Sequence, residues 1–286
     1  MKVSSRKMPN RIKSKPVAWH AIALLLSCLA ACTKPDTVQA KEQVEAKARQ
    51  EKAMRMWKDR CETKSGIKIH RTVDSVDGIF LMKIRPGGVP NYSDQFKMDD
   101  PYGKDSTDDT YILNFLKGFY HQRTDQPVIP GKPPREGYRY VEAIDPKDGQ
   151  RYRYTGRVEE PWQTNKSYLK GYTRFVLDKA PSSDPRPRYG LTYDDISTHE
   201  EREYWIAGSS LRVIDLQTNE VIAERIGYMV DWAQGSTAGF RSPWLFAADH
   251  ACPGFQWNPN IPVKRASGEQ PGQTLIFVEQ VLKPSK

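Results

Sequence analysis

Two segments on either side of a short turn constrain the fold of this chain most strongly. Residues 210–216 and 220–232 are rich in β-branched and aromatic side chains, and they flank the turn sequence QTN. Such runs around a short polar turn form antiparallel hairpins. Residues 138–144 and 152–158 repeat the pattern around DPKDGQR. Two hairpins in one chain predict an antiparallel β-sheet.

Shorter signals complete the predicted architecture. Residues 78–85 and 274–282 are apolar runs that predict strands, and residues 109–116 predict a short helix. Thr198 followed by Glu201 has the spacing of a capping box, which predicts a second short helix. The chain contains 21 prolines, several of them in irregular links between these segments. We therefore expect an α+β fold that is mainly antiparallel β-sheet with hairpins and a few short helices.

A polar helix precedes this predicted domain. Residues 38–60 contain no glycine or proline, and Ala, Glu, Gln, Lys and Arg dominate, which are strong helix formers. The segment becomes apolar only at its end, with Met54, Met56 and Trp57. This pattern predicts a helical stalk that joins a packed domain, while a coiled coil is the alternative interpretation.

The first 31 residues have the composition of an export signal. They carry no acidic residue, and six basic residues precede an apolar run at 17–31, namely Lys2, Arg6, Lys7, Arg11, Lys13 and Lys15. A basic head, a short apolar stretch and small residues before a cleavage point describe a secretory signal. The run is shorter than the roughly 20 residues of a transmembrane helix. An uncleaved anchor is the alternative.

Small residues at the end of this leader stand directly before a cysteine. The sequence Leu29-Ala30-Ala31-Cys32 resembles the lipobox of bacterial lipoproteins, which is cut before a lipidated cysteine. Cys28 is a poorer candidate, because bulky Leu26 stands where the pattern prefers a small or β-branched residue. The resemblance implies a lipid anchor at Cys32 and a place in the cell envelope.

The predicted cleavage divides the chain into three parts. These are a signal peptide at 1–31, a lipidated tether with the helical stalk at 32–60, and a single α+β domain at 61–286. Thr33 rather than Asp follows the cysteine, and by resemblance to Gram-negative sorting this implies the outer membrane, facing the periplasm. The same membrane attachment makes the lipid bilayer a predicted partner.

Cysteine parity predicts one disulfide. Lipidation at Cys32 would remove Cys28 with the signal and leave Cys61 and Cys252. An even pair in an oxidising compartment is expected to form a disulfide bond. Two unconnected buried thiols are the alternative.

The basic charge of the chain does not indicate a nucleic-acid partner. The full chain has a net charge of +9, from 44 Lys and Arg against 35 Asp and Glu. Removal of the six leader cations leaves 38 against 35, a net charge of +3. No zinc-finger spacing accompanies this small excess, so we expect no binding to DNA or RNA.

Catalytic and metal-binding motifs are absent from the sequence. Residues 235–239 read GSTAG rather than G-x-S-x-G, and the histidine of HEERE at 199–203 lacks the second histidine of a zinc protease. We expect no metal and no cofactor. His250, beside Asp249 and near Cys252, is the main candidate for a catalytic histidine, with a structural or exposed histidine as the alternative, and His199 is the second histidine to test. An envelope hydrolase with an unrecognised site is therefore an alternative function.

Aromatic residues cluster at and after the end of the predicted hairpin at residues 210–232. They alternate with Gly, Ser and Pro, and they are Trp232, Phe240, Trp244, Phe246, Phe255 and Trp257. Aromatic side chains on loops can anchor a protein partner. The alternative is that they fix irregular loops onto the sheet.

Three stretches resemble a group of poorly characterised proteobacterial lipoproteins, some of which are immunity proteins encoded beside type VI secretion lipase effectors. They are TVDSVDGIFLMKIRP at 72–86, the region YDDISTHEEREYW…GYMVDW at 193–232, and PWLFAADHACP at 243–253. The resemblance implies a lipid-anchored periplasmic protein that binds a secreted effector and blocks it sterically. An envelope assembly factor is a further alternative.

Overall fold

The computed structural model describes residues 37–88, 90–104, 106–118, 137–160, 173–256, 270 and 272–285. The predicted signal peptide, the lipobox at Cys32 and the predicted anchor Trp257 lie outside these residues. Among the helices that are described, none combines the length and the apolar character needed to cross a lipid bilayer.

Most of the described strands belong to one mixed sheet. In chain order the strands are β1 (Gly66–Ile69), β2 (Val73–Val76), β3 (Gly78–Leu81), β4 (Tyr140–Ile144), β5 (Arg151–Glu159), β6 (Arg174–Pro181), β7 (Tyr189–Asp195), β8 (Ile206–Asp215), β9 (Glu220–Val230), β10 (Ala251–Cys252) and β11 (Leu282–Pro284). The order in the main sheet is β1-β9-β8-β7-β3-β4-β5-β6, and β10 also pairs with β9. Strands β2 and β11 form a separate parallel pair.

Both predicted hairpins are confirmed. Strands β8 and β9 are antiparallel along their whole length, and β4 pairs antiparallel with β5. The predicted strand at 78–85 ends earlier, at Leu81, and forms β3. Every residue of β3 is buried, because β3 lies at the centre of the sheet and runs parallel to both β4 and β7. The sheet is therefore mainly antiparallel with a parallel centre.

The described residues also include five α-helices. They are α1 (Thr37–Thr63), α2 (Asp108–Lys117), α3 (His199–Glu203), α4 (Pro243–Ala247) and α5 (Gln273–Val281). The predicted helices at 38–60 and 109–116 correspond to α1 and α2. At the start of α3 the Glu201 amide donates to the Thr198 hydroxyl at 3.1 Å, and the Thr198 amide donates to the Glu201 carboxylate at 2.7 Å. This arrangement confirms the predicted capping box.

The strand predicted at 274–282 is wrong, because these residues form helix α5 and only Leu282 begins a strand. A short apolar run fits either a buried strand or a buried helix, so periodicity alone does not separate them. The buried positions Leu275, Val278 and Val281 recur every three residues, which places them on one helical face. That face joins α2 and the sheet in one hydrophobic core.

The last turns of α1 are packed against the sheet. The residues of α1 from Lys47 onward belong to the same compact unit as the sheet. Ala53 is fully buried beside Ile206, Tyr228 and Val230, and Trp57 packs against the same cluster. The end of α1 is also attached to the domain by an ion pair and by a disulfide bond. Arg60 donates to Glu201 at 2.5 Å, and Cys61 forms a disulfide with Cys252, with a Cα–Cα distance of 5.6 Å.

A buried carboxylate fixes two loops at the far end of the β8–β9 hairpin. Asp215 is fully buried and accepts hydrogen bonds at 2.8 Å from Arg188, which precedes β7, and from Arg71, which follows β1. The Gln217 amide donates to the same side chain at 3.2 Å. Because these donors stabilise the ionised form, with Arg188 contributing most, they lower the pKa of Asp215 to about 2.

We predict that Asp215→Asn lowers the free energy of unfolding at neutral pH by about 1–2 kcal/mol, after allowance for solvent around the two half-exposed arginines. The folded pKa lies below the ordinary value of 3.8. The stabilisation is therefore complete above about pH 4 and is lost as the pH falls towards 2. Urea unfolding of both proteins across this range measures the difference.

The control for this prediction is Asp178→Asn. Asp178 pairs with Arg157 at 2.8 Å, but both side chains are about half exposed, and such pairs contribute little to stability. A stability difference between wild type and Asp215→Asn that stayed constant from pH 7 to pH 2 would contradict the proposed ionic stabilisation.

Candidate partner-binding surface

The loop after β9 is closed by a buried carboxylate. Asp231 is fully buried, and its side chain accepts hydrogen bonds from the backbone amides of Gly235 at 2.8 Å and Ala233 at 3.3 Å. The guanidinium of Arg241 donates to both Asp231 oxygens. Arg241 also donates to the Ser236 carbonyl at 3.0 Å. One side chain therefore fixes both ends of the loop 231–241.

A tight turn presses the start of this loop against Trp205. Gly235 has φ +80°, and a Cβ atom at this position would lie 2.3 Å from Cε2 of Trp205. Glycine is therefore required here for both its conformation and its lack of a side chain. The side-chain amide of Gln234 donates to the Tyr204 carbonyl at 2.8 Å. These contacts hold the loop in one position on the domain.

Arg241 brings two exposed aromatic rings together. Its guanidinium carbon lies 5.8 Å from the ring centroid of Trp232 and 5.1 Å from that of Phe246. Trp232 is 44% exposed and Phe246 is 43% exposed. Because the pair with Asp231 fixes the guanidinium, its cation–π contacts restrain both aromatic rings.

Two further apolar side chains extend this area. Phe240 is fully exposed and has φ 62°, a left-handed conformation that is uncommon for a bulky residue. Leu245, beside Phe246 in α4, is also exposed. We call Trp232, Phe240, Arg241, Leu245 and Phe246 the aromatic surface. Exposed apolar side chains concentrated in one short segment of the chain, 232–246, are candidates for a protein interaction site.

Helix α4 divides the aromatic cluster between the core and the solvent. Trp244 is only 1% exposed, its ring centroid lies 5.1 Å from that of Trp205, and its Nε1 donates to the Asp94 carbonyl at 3.0 Å. The prediction of Trp244 as a surface anchor is therefore wrong, because its side chain faces the core while Leu245 and Phe246 face outward.

Phe255 also differs from the predicted anchor role. It is half-buried, and its ring packs at 5.0 Å from the ring of Tyr102. The loop that carries Phe255 is thereby held onto the domain, as in the alternative interpretation of these aromatics. Of the predicted anchors within the described residues, Trp232, Phe240 and Phe246 are exposed, and Arg241 contacts the rings of Trp232 and Phe246.

The two candidate catalytic histidines lie in separate surroundings. His199 is exposed, stacks on Phe96 with a centroid distance of 4.8 Å, and has Nδ1 3.4 Å from Glu203. His250 packs edge-on against Trp57 at 6.0 Å, and the neighbouring Cys252 is in the disulfide. Within the described ranges, no three His, Cys, Asp or Glu side chains are grouped to hold a metal ion.

Three members of the described surface and its support were not predicted from the sequence. They are Asp231, Arg241 and Leu245. Asp231 directly follows a long β-strand, and Arg241 directly follows Phe240, which are the signals that could have drawn attention to them. The pairing of Asp231 with Arg241, ten residues later, depends on the path of the loop, which the sequence does not reveal.

The opposite orientations of neighbouring α4 residues give a test. We predict that Trp244→Ala lowers the free energy of unfolding by about 3–5 kcal/mol, because it removes a fully buried aromatic side chain. Phe246→Ala, two residues away, should lower it by less than about 1 kcal/mol. Chemical denaturation followed by circular dichroism measures both variants. Equal losses would show that Phe246 belongs to the core rather than to the aromatic surface.

Comparison of the chain with protein-family models, with curated proteins and with solved structures finds no match. The resemblance of the stretches at 72–86, 193–232 and 243–253 to immunity lipoproteins therefore stays a prediction. The roles of residues in the aromatic surface rest on their own geometry.

Proposed function

We propose that this chain is a lipid-anchored periplasmic immunity protein that binds a secreted, lipase-type effector of type VI secretion and blocks it sterically. The single observation that carries the binding role is the aromatic surface, in which buried Asp231 fixes Arg241 in contact with the rings of Trp232 and Phe246. The effector class comes from the sequence resemblance.

The chemistry of the aromatic surface favours tight binding to a folded protein. Tryptophan and arginine dominate the energetics of protein interfaces, because each combines a large apolar area with a polar group. The hydrogen bonds from Gly235 and Arg241 to Asp231 order the loop before any partner arrives. A loop that is already ordered loses less conformational entropy on binding. Steric blocking through such a surface requires no catalytic residue.

The predicted anchor supports a role at a membrane. Cys32 would carry acyl chains, and α1 begins at Thr37, five residues later. A helix of 27 residues is about 40 Å long. A lipase effector acts on phospholipid, so a tethered immunity protein would be concentrated at the surface where the effector works. Tethering raises the effective concentration of a binder without adding a contact.

The test is to express, in the periplasm, the lipase effector encoded beside this protein, with and without the protein itself. Wild type should protect the cells, and binding to the purified effector should weaken about tenfold or more in Trp232→Ala, Phe240→Ala and Phe246→Ala. Val158→Ala, which truncates an exposed apolar side chain on β5, is the matched control and should bind normally. His199→Ala and His250→Ala should also protect.

Two outcomes would contradict this proposal. Unaltered binding by the three aromatic variants would exclude the aromatic surface as the interface. If no effector binds, and replacement of His199 or His250 abolishes a hydrolytic activity, the chain is instead an envelope hydrolase. Circular dichroism of each variant separates loss of binding from loss of folding.

We further predict that Cys32 is the lipidated first residue of the mature chain. Lipoproteins carry several acyl chains, and two or more such chains give durable membrane attachment. Protein extracted from membranes should therefore have the mass of a triacylated chain that begins at Cys32, and Cys32→Ser should be released from the membrane fraction. A mature chain that starts elsewhere, or one without acyl chains, would refute this assignment.

A further inference from the structure

Strand β6 lies at one end of the main sheet. It pairs antiparallel with β5 along its whole length, and the order of the described strands places no strand on its other side. An edge strand presents a row of backbone amide and carbonyl groups with which a further strand can pair. A second copy of this chain carries the same strand and can supply that partner.

The register of β5 and β6 determines which residues of β6 face the open edge. The Ser182 amide donates to the Arg151 carbonyl at 3.0 Å, and these residues are opposite each other when the register is continued. Because hydrogen-bonded pairs alternate along antiparallel strands, the even-numbered residues of β6 direct their backbone groups towards β5. Odd-numbered residues such as Leu177 and Lys179 direct theirs towards the edge. Two copies can therefore pair only in registers that set odd-numbered residues opposite each other.

Charged side chains follow each other with alternating sign on one face of β5 and β6. Arg174 pairs with Glu159 on β5 at 2.6 Å, and Asp178 pairs with Arg157 on β5 at 2.8 Å. The side chains of Arg174 and Asp178 are each 45% exposed, so both can make a further ionic contact. Val176 lies midway between them on the same face of the strand.

We propose that β6 pairs antiparallel with β6 of a second copy of this chain, about a two-fold axis at Val176. In this register each Arg174 lies opposite Asp178 of the other copy, so an ion pair forms on each side of the axis. Opposite charges in directly facing positions stabilise a strand pair. Charges then alternate in sign across four neighbouring strands, in the order Glu159, Arg174, Asp178 and Arg157.

The neighbouring registers lack this complementarity. An axis at Phe175 or Leu177 sets no charged residue of β6 opposite a charge of the other sign. An axis at Arg174 or Asp178 sets like charges directly opposite each other, which is destabilising. The axis at Val176 also sets Leu177 opposite Phe175 on the other face of the sheet. The charge pattern of β6 therefore selects one register.

The proposed contact is independent of the aromatic surface and of the immunity function. The aromatic surface follows β9, which lies near the other end of the main sheet from β6. A pair of copies joined through β6 would therefore leave both aromatic surfaces accessible. A contact of one strand with another is small, and small interfaces are weak and transient. A covalent trap at the axis is therefore the appropriate test.

Val176→Cys provides this trap in the full-length protein extracted in detergent. Directly opposite residues that are not hydrogen-bonded to each other have Cα atoms about 4.5 Å apart in an antiparallel pair, which permits a disulfide bond. Mild oxidation should therefore give a dimer of twice the mass on a non-reducing gel. Thr155→Cys is the matched control, because Thr155 is exposed on the same face of β5 but one strand away from the edge. This variant should remain monomeric.

Charge reversal in the Val176→Cys background tests the register. Arg174→Glu or Asp178→Arg alone sets like charges opposite each other in a pair of identical copies and should slow cross-linking about tenfold. A mixture of the two variants sets opposite charges together again and should restore cross-linking, now as mixed dimers. Circular dichroism verifies that each variant is folded.

Hydrogen exchange of the wild type does not depend on any variant. Amide exchange in β6 should slow as the protein concentration rises, because pairing engages the amides at the edge. Exchange that is independent of concentration would overturn the proposal. Equal cross-linking of Val176→Cys and Thr155→Cys, no cross-linked dimer of Val176→Cys, or a mixture that behaves like its separate components would also overturn it.

Discussion

The pairing of β8 with β9 is the interaction on which most of this structure depends. The two strands are hydrogen-bonded along their whole length, from Ile206 opposite Val230 to Asp215 opposite Glu220. Alternation along β9 sends successive side chains to opposite faces, so Tyr228 and Val230 pack beside α1 while Arg225 and Met229 face the other side. Strands β1 and β10 cover the outer edge of β9 in turn. A slip of one residue would exchange these faces and disrupt both layers.

Buried charge is used in different ways at the two ends of this hairpin. At the turn, Asp215 receives hydrogen bonds from two arginines that remain partly in water. At the opposite end, the Asp231 carboxylate accepts hydrogen bonds from Arg241 and from two backbone amides. Arg241 in turn restrains two exposed aromatic rings. The first arrangement joins loops of the domain. The second arrangement gives an exposed apolar surface a defined shape, because a buried partner restricts the arginine on which the rings rest.

The sequence was most informative where local chemistry decides the structure. The hairpins and the capping box at Thr198 could be predicted because turn residues and cap spacing act within a few positions. The prediction of a strand at 274–282 was wrong because a short apolar run with β-branched residues fits a buried helix as well as a buried strand. Trp244 could not be separated from Phe246, because their opposite exposures depend on where α4 begins and which side it packs. The pairing of Asp231 with Arg241 depends on the path of a loop that the sequence does not reveal.

The disulfide between Cys61 and Cys252 also determines how the protein would carry mechanical load. Its two cysteines are 191 residues apart in the chain, yet they join the end of α1 directly to β10 at the edge of the sheet. A pull on α1 would reach β10 through a covalent bond, bypassing the intervening chain. A force applied between the start of α1 and the loop near Trp232 would therefore pass largely through this bond, and the strands from β1 to β9 would be shielded from stretching.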